Sequence, residues 1–237
     1  MIGGHRLPLD KPVAADYDET VLYNGVIYKR GVQIDTSLTT LERIHQAAKR
    51  EFLEKGYKGA SLRNIVRSLS MTTGAFYGYY KSKEQLFEAL VGEHYDHMLT
   101  CFKKAQQSFA KLPHEQQPEV MSEISGACMF EMLHYAYAHL EECKLILCCS
   151  EGTKFSGLID QMVTIETEAT HAYQRVLEKL GRPSPQIDPV LEHILITGMF
   201  HTFFELVIHE MPIADAENYV KEMRDFYTAG WMKIMGQ

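Results

Sequence analysis

Apolar positions between Ser61 and Lys83 fall into two short helical runs separated by a tight turn. In the first run they recur three and four residues apart, which is the spacing of one helix face. These positions are Leu62, Ile65, Val66 and Leu69. Ser61 stands where an N-cap is expected, and residues 69–71 form the turn.

The second run predicts a short helix with one apolar side and one open side. Thr72 or Thr73 caps it, and Phe76 and Tyr80, four residues apart, are predicted to face the core together. The remaining positions then face outward; they are Thr73, Gly74, Tyr77 and Gly78. A short helix with small, hydroxylated and aromatic groups outward suits insertion into a DNA major groove.

Longer helices flank this pair. Thr39 with Glu42 and Ser82 with Gln85 are capping boxes, which open helices over residues 40–55 and from 82 to about 111. Helical periodicity and Pro or Gly breaks predict four more helices, at residues 118–140, 158–180, 188–209 and 215–235. Residues 145–149 are a short apolar segment, and residues 152–157 a loop. The fold class is therefore all-α, with a three-helix head and a larger helical bundle.

Three parts follow from this pattern: residues 1–35 as an N-terminal extension, 36–82 as the head and 83–237 as the body. Within the extension, residues 21–28 carry an Asn-Gly hairpin signature between apolar triplets. The extension could contact DNA through Lys29 and Arg30. The interpretation we favour is that it packs on its own chain or on a dimer mate, because minor-groove arms are usually richer in basic residues.

Charge is distributed unevenly along the chain. The net charge is −7, yet residues 36–90 carry nine Lys/Arg against five Asp/Glu. Residues 91–237 reverse this balance, with eleven Lys/Arg against twenty-one Asp/Glu. A basic module on an acidic body is the charge layout of a DNA-binding protein with a separate non-DNA domain.

The head resembles the helix-turn-helix of TetR-type (TetR/AcrR) transcriptional regulators over about 50 residues. The matching residues are Ser61, Ile65, Val66, Met71, Thr72, Gly74, Phe76, Tyr77, Tyr79, Tyr80, Lys81, Lys83 and Leu86. Two positions depart from the family pattern. Ser70 replaces the turn glycine and is predicted to adopt a left-handed conformation. Gly78 replaces a His or bulky residue, so one phosphate or base contact is expected to be missing.

The resemblance implies a homodimeric, ligand-responsive regulator that binds double-stranded operator DNA, most often as a repressor. The expected DNA-binding residues are Ser61, Arg63, Thr72, Thr73, Gly74, Ala75, Tyr77, Gly78, Tyr79 and Lys83. Among them, Tyr77 and Lys83 are expected to contact phosphates, and Thr73 to Ala75 lie nearest the base edges. Two residues have a second interpretation. Arg63 either reaches DNA or is a solvated surface residue. Tyr79 either contacts DNA or fills the core of the head.

Methionine and aromatic residues on the helical stripes of the body predict a packed core that also encloses an apolar effector cavity. The expected lining is Met98, Phe102, Cys128, Met132, His134, Tyr135 and Glu166. His134 and Glu166 are polar anchors in this prediction. The other interpretation of each is an ordinary exposed or hydrogen-bonded side chain.

The two C-terminal helices are apolar over more than one face, which predicts that they pair across a two-fold axis in a dimer. The expected interface is Leu191, Ile194, Leu195, Gly198, Met199, Phe203, Tyr219, Met223, Phe226 and Trp231. Gly198 would allow the close approach of helices.

Other classes of protein fit less well. Five cysteines without CxxC spacing indicate a reduced cytoplasmic location and predict neither a metal site nor a cofactor. A thiol- or metal-based sensor remains the alternative, followed by an enzyme that uses the acidic body. The apolar stretch 190–208 is interrupted by Glu and His, so it predicts a buried helix rather than a membrane span.

Overall fold

The computed structural model describes residues 21–23, 26–29, 32–34, 38–182 and 184–237. The strands are β1 Val21–Tyr23, β2 Val26–Lys29 and β3 Val32–Ile34. The helices are α1 Thr40–Gly59, α2 Leu62–Ser68, α3 Thr73–Tyr77, α4 Lys83–Ala110, α5 Gln117–Ala138, α6 Leu140–Cys149, α7 Leu158–Lys179, α8 Pro189–Ile208 and α9 Ile213–Ile234. The chain divides into two compact units, Met1–Glu42 and Arg43–Gln237.

The first unit contains a small antiparallel sheet in the order β1-β2-β3. Val21 pairs with Tyr28 between the first two strands, and Ile27 with Ile34 between the second and third. The predicted hairpin is therefore present, although its Asn24-Gly25 turn and Arg30 lie outside the described residues. The third strand was not predicted, because no Asn-Gly turn signature immediately precedes its three residues in the sequence.

Side-chain caps begin α1, α3, α4 and α8 where the sequence predicts. The Thr39 N–H donates to Glu42 Oε2 at 2.7 Å, and Ser82 Oγ accepts from the Gln85 N–H at 3.0 Å. Gly56, with φ of 66°, ends the regular part of α1, and a further turn continues to Gly59. These short-range bonds satisfy backbone groups that the helix itself leaves unpaired.

One hydrophobic core runs through the second unit without a break between head and body. Phe52 of α1 and Phe87 of α4 are both fully buried, with an edge-to-face contact of 5.0 Å between ring centroids. The ring centroid of Phe155, a residue between α6 and α7, lies 6.1 Å from that of Phe87. Apolar packing thus continues across the predicted boundary at residue 82.

Helix α6 is the main element that the sequence did not predict. Only residues 145–149 stood out as apolar, whereas the helix begins at Leu140. His139 precedes it without a side-chain capping bond, so the usual start signal is missing.

Helix α8 is the one helix of the described residues that is long and apolar enough to cross a membrane by length and composition. Phe200, Phe203 and Phe204 on one side of it are buried in the protein core. Its other side is apolar and exposed, and is described with the candidate interface below.

Candidate DNA-binding face and ligand cavity

The turn between α2 and α3 has the geometry that the sequence predicts. Ser70 adopts φ of 54°, the left-handed conformation that usually favours glycine. The Met71 N–H donates to the Val66 carbonyl at 3.2 Å, and Thr72 Oγ1 accepts from the Ala75 N–H at 3.2 Å. Thr72 is therefore the cap of α3, and the two helices are joined by a fixed turn.

Helix α3 separates an inner side from an outer side. Phe76 is fully buried and Tyr80 is 9% exposed, as their spacing predicts. Most of the predicted DNA-contacting residues lie together on the exposed side; they are Thr72, Thr73, Gly74, Ala75, Tyr77, Gly78 and Tyr79. Tyr77 and Tyr79 are each 44% exposed, so neither ring fills the core. These residues form the α3 face.

Glu51 of α1 fixes the start of α2. Its Oε1 accepts from the Ser61 N–H and from Asn64 Nδ2, each at 3.1 Å, while Oε2 accepts from Lys55 at 2.9 Å. Burial would raise the pKa of Glu51, but the bonds from Lys55, Ser61 and Asn64 hold that pKa below its ordinary value. Ser61 occupies the cap position without a side-chain capping bond, which differs from the prediction.

The position of Lys83 does not match the predicted phosphate contact. Its Nζ donates to the carbonyls of Tyr57 at 2.6 Å and Ala60 at 3.0 Å, and it lies 4.5 Å from the centre of the Tyr57 ring. An ammonium has three donors, and the carbonyl of Lys58 lies 3.5 Å from the same nitrogen. Lys83 therefore ties the start of α4 to the end of α1.

Two arginines on α2 supply positive charge beside the α3 face. Arg63 and Arg67 are exposed and, within the described residues, form no ion pair. They are four residues apart and so lie on the same side of the helix. Arg63 was a candidate from sequence, whereas Arg67 was not, although its spacing from Arg63 was a usable signal.

A cavity of about 130 Å³ opens inside the body. Helices α4, α5, α7, α8 and α9 enclose it, and its lining includes Phe102, Phe109, Met121, Cys128, Met129, Met132, Glu166, Tyr173, Phe200, Arg224, Tyr227 and Trp231. Four of the predicted lining residues are among those that line it; they are Phe102, Cys128, Met132 and Glu166.

Three predicted lining residues are elsewhere, and for these the prediction was wrong. Met98 is 1% exposed in the core and does not reach the cavity. His134 is exposed and pairs with Glu217 at 3.1 Å. Tyr135 turns toward α4, where its hydroxyl lies 2.9 Å from His94 Nδ1. Helical periodicity places residues on a face, but it does not identify the helix opposite.

Polar groups in the cavity are few and specific. Gln106 Nε2 donates to Glu166 Oε2 at 2.6 Å, and burial raises the pKa of Glu166 to about 7. The buried Tyr173 hydroxyl has no hydrogen-bond partner within the described residues. Arg224 packs so closely on Gly126 that a Cβ there would come within 2.8 Å of Arg224 Cδ. The cavity thus combines apolar walls with an acid, a free hydroxyl and a guanidinium.

The cysteines do not form a cluster. Cys143 is buried, and burial raises its pKa to about 12, which keeps the thiol protonated. Cys101 and Cys128 lie within hydrogen-bonding reach of each other, which lowers the pKa of Cys101 and raises that of Cys128. Cys148 is exposed.

Helices α8 and α9 carry an exposed apolar surface. The exposed fractions are 67% for Val190, 45% for Leu191, 58% for Ile194, 49% for Tyr219 and 72% for Phe226. These five residues form the α8–α9 face. A Cβ at Gly198 or Gly230 would contact nothing within 4 Å, so the surface is open there.

Of the other predicted interface residues, Phe203 is buried in the protomer, whereas the rest are partly exposed; these are Leu195, Gly198, Met199, Met223 and Trp231. Phe203 is 1% exposed, and it lines the cavity together with Met199 and Trp231. Met223 packs on the hydrophobic core. A helix that is apolar on several sides gives no sign in its sequence of which side faces its own core.

Comparison with known proteins finds similarity to DNA-binding regulators. Residues 44–90 match the family model of the bacterial regulatory proteins of the tetR family. YttP of Bacillus subtilis (strain 168), an HTH-type transcriptional regulator by its name, is 23% identical over 160 residues, or 67% of this chain and 73% of that protein.

Solved structures include one that shares the overall fold. A member of the TetR transcriptional regulator family from Streptomyces coelicolor A3 superposes with a TM-score of 0.51 at 16% identity, over 88% of this chain and 96% of that one. A transcriptional regulator from Aquifex aeolicus VF5 is 23% identical, with a TM-score of 0.44 over 80% of this chain and 99% of that one. The Streptomyces structure indicates that the similarity of fold extends from the head into the body.

Proposed function

We propose that this chain is a transcriptional regulator of the TetR family, which its matches to that family support. In this proposal it is a homodimeric repressor released from its operator by a small, mostly hydrophobic effector. A regulator of this family is not an enzyme, so the acidic body needs no catalytic explanation. Its operator is double-stranded DNA, which in a bacterium places its action in the cytoplasm.

The main observation that supports this proposal is that helix α4 extends from the DNA-binding head to the cavity. The helix begins beside the DNA-binding head, where Lys83 holds it to α1. Nineteen residues later, at ~1.5 Å per residue or about 28 Å, Phe102 lies in the cavity wall. One rigid helix therefore connects the cavity to the head. A ligand that pushes on Phe102 or Gln106 can tilt the head.

Release from DNA also requires the ligand to discriminate between two states. A ligand shifts an equilibrium only by the difference between its affinities for the two conformations. The effector must therefore bind the head spacing that does not fit DNA more tightly than the spacing that does. The wall of the cavity consists almost entirely of residues on helices α4, α5, α7, α8 and α9, which favours such discrimination, because filling the cavity displaces helices rather than loops.

The chemistry of the cavity selects the class of effector. Most of its wall is apolar or aromatic, which favours a hydrophobic molecule over a sugar or a nucleotide. Glu166 and the unpartnered hydroxyl of Tyr173 offer one or two polar contacts. A molecule with an apolar body and a single hydrogen-bonding group fits this lining.

DNA contacts on the α3 face divide by role. Thr73, Gly74 and Ala75 at the exposed start of α3 are placed to meet base edges, and an alanine there can touch a thymine methyl. Tyr77 and Arg67 are placed to contact phosphates, which position the head without reading sequence.

A dimer supplies the second head. The α8–α9 face exposes large apolar side chains on both helices, the arrangement that pairs into a four-helix interface. Contiguous exposed apolar surface of this kind marks an interaction site. A two-fold axis through it would present two heads to two half-sites of an operator.

Ligand release is tested by fluorescence anisotropy on a duplex selected from a random pool, titrated with a panel of hydrophobic small molecules. We expect at least one ligand to dissociate wild type from the duplex. Ser125 of α5 also lines the cavity, so Ser125→Trp should fill it and abolish this response while retaining DNA binding. Ser156→Trp, on an exposed loop, is the control. If Ser125→Trp responds as wild type does, the cavity is not the effector site.

A further inference from the structure

Three side chains of the kinds that bind transition metals meet on one side of the body, away from the ligand cavity. His94 comes from α4, His139 from the joint between α5 and α6, and Glu142 from the first turn of α6. One ligand atom from each lies within 4.8 Å of the other two. All three residues are partly buried, so they are held by packing yet reachable from solvent.

We propose that His94, His139 and Glu142 form a binding site for a first-row transition cation such as Zn²⁺. Imidazole nitrogen suits Zn²⁺, Ni²⁺ and Cu²⁺ better than Mg²⁺ or Ca²⁺, and two imidazoles with one carboxylate leave a fourth position for water. Tetrahedral bonds of ~2.1 Å place neighbouring ligand atoms about 3.4 Å apart. Rotations about the side-chain bonds can bring the three atoms to that spacing.

Surrounding residues already orient the ligands. The Tyr135 hydroxyl lies 2.9 Å from His94 Nδ1, which leaves Nε2 of that ring for a cation. The Tyr135 ring is stacked on the His97 ring with 3.6 Å between their centroids, and its centroid lies 4.6 Å from that of the His139 ring. A hydrogen bond on the second nitrogen is how proteins commonly fix the tautomer and orientation of a metal-binding histidine.

Lys49 links this site to the DNA-binding head. Its ammonium, on α1, pairs with Glu142 and also with Glu141 at 3.2 Å. A cation that takes the Glu142 carboxylate competes with Lys49, which retains Glu141 as its partner. Metal binding and this contact between head and body therefore oppose each other.

The test uses full-length protein stripped with a chelator and titrated with CoCl₂, then with ZnCl₂ as competitor. We expect one Co²⁺ per chain, with visible absorption of tetrahedral strength that Zn²⁺ abolishes. His94→Gln and Glu142→Gln should each weaken binding by at least about tenfold. His97→Gln is the control, because this histidine stacks on Tyr135 but is not one of the three ligands. Lys49→Gln should bind Co²⁺ more tightly than wild type.

Thermal unfolding of the metal-free variants establishes that each is folded. If one ligand variant does not fold, the other carries the test, because the two substitutions lie on different helices. The proposal is overturned if wild type binds no Co²⁺. It is also overturned if both folded ligand variants bind as His97→Gln does, since the cation then lies elsewhere. Neither outcome bears on DNA binding or on the effector cavity.

Discussion

Glu166 gives the clearest consequence at the scale of single residues, because its pKa is raised to about 7 by burial. A carboxylate whose folded-state pKa is raised costs stability above that pKa, and the cost disappears below the unfolded value near ~4.3. Glu166→Gln should therefore be more stable than wild type at about pH 8, by at most ~4 kcal/mol, and nearly equal to it below about pH 4. Urea unfolding at both pH values measures this difference. Glu168→Gln, on the exposed side of the same helix, is the control variant.

Lys83 and Arg67 should behave differently although both are basic residues of the head. Lys83→Ala removes bonds to two carbonyls, so it should lower stability by about 1–3 kcal/mol and leave the salt slope of DNA binding unchanged. Arg67→Ala should leave stability unchanged and lower the salt slope by about 1. Anisotropy across a salt series, with thermal unfolding of both variants, distinguishes them. A reduced salt slope for Lys83→Ala would indicate that Lys83 does contact a DNA phosphate.

At the scale of elements, the turn between α2 and α3 stores strain at Ser70. Ser70→Gly should raise the free energy of unfolding by about 0.5–1 kcal/mol, because glycine adopts a positive φ without steric cost. Ser68→Gly, two residues earlier at the last position of α2, should instead lower it, because Ser68 has no positive φ and glycine is a poorer helix former. Chemical unfolding of the two variants makes this comparison. If both substitutions destabilise the protein equally, Ser70 is not strained.

Elements with strong end signals could be predicted, and those without them could not. Capping boxes and Pro or Gly breaks located α1, α4, α5, α7, α8 and α9 to within a few residues, because a cap depends only on neighbours in sequence. Only His139 separates helix α6 from the end of α5, and no Pro or Gly marks the break there, so α6 was missed. Strand β3 was missed because no Asn-Gly turn signature immediately precedes it.

Predictions for the sites divide in the same way. The exposed side of α3 followed from helical spacing alone, which also placed Phe76 and Tyr80 inward. The bonds of Lys83 and the turn of Tyr135 toward His94 depend on which helix packs opposite. That information is tertiary, and no local pattern contains it.

At the scale of the whole molecule, the α8–α9 face should hold two chains together. Ile194→Glu or Phe226→Glu places a charge on exposed apolar surface and should convert the dimer to a monomer at micromolar concentration. Tyr79→Glu, an exposed aromatic on the head, should not change the mass. Light scattering with size-exclusion chromatography measures the mass of each variant. A monomeric wild type, or dimeric interface variants, would contradict the proposed interface.

The central claim is that the α3 face reads operator DNA as one half of a two-fold pair. Its most direct test is selection of bound duplexes from a random pool by the full-length protein. We expect enrichment of a two-fold-symmetric sequence whose half-sites lie about 10 base pairs apart or further. Thr73→Ala should change the enriched bases without abolishing binding. The claim would be contradicted if the protein enriched no sequence. It would also be contradicted if Thr73→Ala and Gly74→Arg each enriched the same sequence as wild type.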